Sequence, residues 1–140
     1  MTPKVLLRIA AGATMIFDLG HTLGGMIFTE SHGAEEEAIL AALAGHRFDV
    51  LGSTRSHHDF YVGQGWYLSA LLTALVVVCW QLSNFTVESP KLVGRLSLVV
   101  SVFFAVSVVL CAMFFFAPPL VMSAVASASC AAAWWRLRSA

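Results

Sequence analysis

The sequence predicts an all-α integral membrane protein, a four-helix bundle with a short amphipathic helix in its first outer connection. Three observations carry this. Hydrophobic residues make up 59% of the chain and charged ones 11%, and the mean hydropathy of +0.81 lies well outside the soluble range. Four apolar stretches, Val5 to Phe28, Phe60 to Leu82, Leu92 to Phe116 and Pro119 to Leu137, each come near the roughly 20 residues that cross a hydrocarbon core. The charged side chains gather mainly at the ends of these stretches and in the connections between them. Length supports a single transmembrane domain over residues 1–140.

The first stretch carries Asp18, His21 and Thr22 in its second half, where a membrane helix rarely keeps such residues idly. Helical spacing places Ala11, Thr14, Asp18, His21, Thr22 and Gly25 in one small and polar stripe. Leu6, Leu7, Ile9, Met15, Ile16, Phe17, Leu23 and Met26 occupy the other faces and suit lipid tails or apolar neighbours. The stripe would be costly against lipid, so it is expected to face other helices or an internal cavity. Lys4 and Arg8 before an apolar run also suit a secretory signal. The run is too long for one, is interrupted by Asp18 and His21, and lacks a small-residue cleavage site before Glu30.

The connection that follows is about thirty residues long, more than simple linkage requires. Glu35, Glu36 and Glu37 precede Ala38, Ile39, Leu40, Leu43 and Ala44, with Ser31 or His32 near the start and Gly45 near the stop. That pattern predicts a short amphipathic helix. The rest of the connection gathers His46, Arg47, Asp49, Arg55, His57, His58 and Asp59. The second stretch then opens with Tyr61, Gln64, Trp66 and Tyr67, of which the aromatics suit a membrane interface while Gln64 sits deeper than an interface requires.

In the third stretch Gly94, Ser97, Ser101, Ala105 and Ala112 recur at helical spacing and predict close approach of another helix. Pro118-Pro119 is expected to end that helix with a tight reversal. The fourth stretch lines one face with Ser123, Ser127 and Cys130 and closes on Trp134, Trp135, Arg136 and Arg138. Asn84-Phe85-Thr86 matches a glycosylation acceptor by accident, since the topology below keeps it in the cytoplasm. Cys79, Cys111 and Cys130 lie singly in three apolar stretches and read as small buried residues.

Orientation follows from the basic residues. Lys4, Arg8, Lys91, Arg95, Arg136 and Arg138 fall on one side of four crossings, and the first connection keeps Arg47 and Arg55. The positive-inside rule then expects a multi-pass protein with both termini cytoplasmic, in the plasma membrane of a bacterium. A net charge of zero with no basic stripe excludes nucleic acid as a partner.

Depth allows the polar groups to meet. At a rise of about 1.5 Å per residue, His21 lies about 10 Å and Asp18 about 15 Å below Phe28, and Gln64 and Tyr67 lie about 6 and 10 Å below Phe60. Asp18, His21, Gln64 and Tyr67 are the catalytic candidates, because an acid beside an imidazole can give and accept a proton while an amide or phenol orients an oxygen. Thr22, Tyr61, Trp66, His57, His58 and Asp59 are the candidates for binding a small lipophilic molecule at the mouth of an outward-facing cavity.

The helix count and the placement of Asp18, His21 and the outer end of the second helix are similar to those of the EXPERA membrane proteins, the sterol isomerase-like group. That resemblance implies isomerisation, hydration or cyclisation of a sterol-like or isoprenoid molecule. No resident metal or cofactor is expected. An alternative is haem b held by His21 with His57 or His58. A further alternative is a non-enzymatic role as a homo-oligomer or an accessory subunit of a larger membrane complex, in which Asp18 and His21 fix helix packing.

Overall fold

The computed structural model describes residues 1–138, so the last two residues of the expected 1–140 domain lie outside the described part. In chain order it contains α1 (Pro3–Leu19), a π-helical turn (Gly20–Ile27), α2 (Ala34–Gly45), β1 (Arg47–Val50), β2 (Ser53–Ser56), α3 (His57–Asn84), α4 (Pro90–Phe114) and α5 (Ala117–Leu137). The chain is mostly helical, and α3, α4 and α5 are each long and apolar enough to cross a membrane. The described residues divide into two compact units, residues 1–18 with 71–138, and residues 19–70.

The first unit has one buried cluster drawn from four helices. Leu6, Leu7, Ala10, Ala11 and Ala13 of α1 join Cys79 and Leu82 of α3, Val93, Val100 and Phe104 of α4, and Ala126, Cys130, Ala133 and Leu137 of α5. The small residues at these positions let backbones approach closely. Leu6 and Leu7 thus turn to the core, while Ile9, Met15 and Ile16 stay exposed as lipid-suited side chains. Antiparallel α1 and α3 are tied at two levels: the Thr73 hydroxyl donates to Asp18 Oδ2 at 2.6 Å, and the Arg8 guanidinium lies 4.8 Å from the centre of the Trp80 ring.

Helices α4 and α5 are joined by a reciprocal pair of hydrogen bonds. Ser101 Oγ donates to the Ser127 carbonyl at 3.0 Å and Ser127 Oγ returns the bond to the Ser101 carbonyl at 2.9 Å. A side-chain carbon at Gly94 would stand 3.2 Å from Leu137 Cβ, so glycine is what permits this crossing. The expected role of Pro118-Pro119 is corrected. Helix α4 already stops at Phe114, and the prolines lie in the first turn of α5, where their missing N–H groups would have had no helical partner.

The second unit departs from an all-α reading. Strands β1 and β2 pair antiparallel with Val50 opposite Ser53 and Arg47 opposite Ser56. The two-residue turn Leu51-Gly52 has positive φ at both positions, 49° and 82°, the backbone sense that matches strand twist in a tight hairpin. Helix α3 starts at His57, earlier than the apolar run suggests, because Ser56 and Asp59 cap it reciprocally. The Ser56 N–H donates to Asp59 Oδ2 at 2.8 Å and the Asp59 N–H donates to Ser56 Oγ at 3.1 Å.

Helix α2 is present as expected, with Glu35, Glu36 and Glu37 in its first turn. Its amphipathicity is slight. Glu36, Leu40 and Leu43 are half-buried along one face, whereas Ile39 is exposed and no residue of the helix is buried. Glu36 reaches back to the backbone N–H and imidazole of His32, and these bonds hold its carboxyl below the usual 4.5. A lowered folded value means that this link is complete above 4.5 and is lost as pH falls through the lower value. The His32 amide resonance is therefore expected to shift in acid below the ordinary carboxylate range, and Glu36→Gln is expected to abolish that titration.

Candidate functional site

Three glycines, Gly20, Gly24 and Gly25, fall within the eight residues of the π turn and free its backbone for the wide winding. The turn closes with the Phe28 N–H donating to the Leu23 carbonyl, five residues back, at 2.8 Å. Against α3 of the same unit it makes two polar contacts. His21 Nε2 lies 3.0 Å from the Gly65 carbonyl, and the Thr22 hydroxyl donates to Ser69 Oγ at 2.8 Å. A carbonyl only accepts, so His21 Nε2 carries a hydrogen. In the neutral ring Nδ1 is then a proton acceptor, and it faces Gly25, where a Cβ would stand 3.8 Å away.

Met26 completes the contact. A Cβ at position 65 would overlap its thioether sulfur and methyl, so the absence of a side chain at Gly65 seats both Met26 and the His21 bond. Open space surrounds Gly20 and Gly24, where a Cβ would meet no atom within 4 Å. In the other unit Asp18 is half-buried with the 2.6 Å bond from Thr73, a length typical of a hydroxyl on a carboxylate.

The remaining predicted residues lie elsewhere on α3. Gln64 and Tyr67 are offset from Gly65 by about 100° and 200° around the helix. With Asp59, Phe60 and Gly63 of the same helix they line an open groove of about 460 Å³, whose other wall is Val50, Leu51, Ser53 and Arg55 of the hairpin. They are therefore not brought to the His21 contact. Tyr61 and Trp66 are exposed. His57 is stacked on His46, with ring centres 5.9 Å apart and planes 10° apart, and tilts against Phe48 at 4.8 Å; His58 is half-buried. Among the described residues no three histidine, cysteine or acidic side chains converge as a metal set.

Sequence reasoning missed the partners on α3. Gly65, Ser69 and Thr73 recur at every fourth position, a small and hydroxyl-bearing row that matches the polar stripe of the first segment. No protein-family model, curated protein or solved structure matches this chain.

Proposed function

We propose that the protein is a four-crossing membrane bundle with both termini cytoplasmic. It binds a small lipophilic molecule at the π turn and moves a proton on it through His21. The observation that carries this reading is the eight-residue π turn itself. Runs of π helix are rare and concentrate at functional sites, because their poorer packing needs a compensating use. Here the turn holds an imidazole whose Nε2 is fixed by a backbone carbonyl, leaving Nδ1 to accept a hydrogen from a hydroxyl or an activated carbon on the ligand. The space beside Gly20 and Gly24 gives such a molecule room to approach from the bilayer. The resemblance to EXPERA proteins suggests a sterol-like or isoprenoid ligand.

A second reading has an observation of its own. Asp18, His21 and Thr22 each find a polar partner on α3, as residues that only fasten helices would. The two readings separate on ligand binding. With a radiolabelled isoprenoid alcohol, the purified protein is expected to bind saturably, and His21→Gln is expected to weaken binding by about tenfold, about 1.4 kcal/mol. Absence of saturable binding to the folded protein would favour helix fastening alone.

A further inference from the structure

The hairpin of the second unit lies back along α3 instead of projecting beyond its start. Leu51 and Val50 at its tip share a groove with Gly63, Gln64 and Tyr67. Dimensions agree: four strand residues at about 3.3 Å each reach about 13 Å, and residues 63 to 67 lie about 9 to 15 Å along the helix from His57. Aromatic packing fixes this placement, since Phe48 stacks on Phe60 with centres 6.1 Å apart and also meets His57 at 4.8 Å.

The tip residue makes no use of water. Leu51 is 103% exposed and holds a positive φ of 49°, a backbone state unfavourable for leucine. It stands level with Tyr67, 74% exposed, on a helix apolar enough to cross the bilayer. An exposed leucine and an exposed tyrosine at one level suit the boundary between headgroups and acyl chains. A two-stranded hairpin has open edges, so it belongs at that hydrated level and not in the hydrocarbon.

The groove presents both charged and apolar groups. Arg55 and Asp59 both line it, yet they form no ion pair within 4.0 Å among the described residues. Among the described residues the Arg55 guanidinium makes one hydrogen bond, to the neighbouring Thr54 carbonyl at 2.9 Å, and Arg47 donates to the same carbonyl at 3.3 Å. Val50, Leu51, Phe60 and the Tyr67 ring supply the apolar part. A separated cation and carboxylate beside an apolar wall complement a zwitterionic headgroup with its acyl chain.

We infer that the hairpin inserts its Leu51 tip into the bilayer interface and that the groove behind it holds a phospholipid of the ethanolamine type, with phosphate at Arg55, ammonium at Asp59 and chain along Leu51 and Tyr67. This rests on α3 crossing the membrane and not on any chemistry at His21.

Two measurements test it. In native mass spectrometry from detergent, phosphatidylethanolamine is expected to be retained in preference to phosphatidylglycerol, with Arg55→Gln lowering retention about tenfold. Equal retention by Arg55→Gln, or preference for phosphatidylglycerol, would overturn the site. For the tip, a fluorophore on Leu51→Cys in liposomes is expected to be quenched by nitroxide phospholipids, the native cysteines being buried. Val77→Cys on the exposed later part of α3 is the control. Quenching at Val77 with an aqueous Leu51 would overturn the hairpin insertion alone, whereas an aqueous label at both would overturn the membrane reading beneath it.

Discussion

Gly65→Leu is expected to eliminate binding of an isoprenoid alcohol and to lower stability by about 1–3 kcal/mol, the usual cost of forcing bulk into a filled site. The side chain would enter the space of the Met26 thioether, displace the π turn from α3 and break the His21 bond to the Gly65 carbonyl. Gly65→Ala is expected to be milder. The atoms it meets first are the sulfur and methyl at the end of an unbranched side chain, which can swing aside. A thermal melt in detergent with a parallel binding isotherm checks both variants. If Gly65→Leu binds like the parent, the π turn is not the ligand site.

The second large effect concerns Asp18, whose place in an apolar segment is costly. Its carboxylate accepts a 2.6 Å bond from Thr73. Asp18→Asn keeps an oxygen acceptor and removes the charge, so stability is expected to hold level or rise. Thr73→Val keeps the carboxylate but removes one of its donors, and is expected to cost about 1.5–3 kcal/mol, the range for hydrogen bonds to charged groups. If Asp18 supplies charge or protons to the reaction, Asp18→Asn should reduce turnover of the ligand by several orders of magnitude while the fold melts no earlier. If it serves only to fasten α1 to α3, the two variants should differ in stability and leave ligand handling unchanged.

Most of the helical plan was legible because hydropathy and length report directly on burial in lipid. Helices α3, α4 and α5 fall within a few residues of the apolar stretches that predict them. The misplaced ends have local causes. The Ser56–Asp59 cap extends α3 into polar sequence, and Pro118-Pro119 suits the first turn of a helix as well as the end of one. The hairpin was hidden because its turn is Leu51-Gly52, without the asparagine or aspartate that usually marks positive φ at the first central position.

The candidate site was legible in part. Asp18, His21 and Thr22 stand out by polarity alone, but the partners Gly65, Ser69 and Thr73 are small and uncharged and pass for packing residues. Gln64 and Tyr67 drew attention by depth, which fixes level along a helix and says nothing of direction around it. Their direction places them in the hairpin groove. The π turn could have been suspected from three glycines in eight residues, a density that loosens an α-helix without predicting what replaces it.

The central claim, that a lipophilic molecule binds at the π turn beside His21, is tested most directly by photolabelling. A photoreactive isoprenoid alcohol would be crosslinked to the protein in liposomes and the labelled peptides mapped by mass spectrometry. The account predicts label concentrated within Gly20–Ile27 and around residues 65 to 69, displaced by excess unlabelled alcohol and lost in His21→Gln. Label spread evenly over the exposed faces of α4 and α5, undiminished by competitor or by His21→Gln, would contradict it.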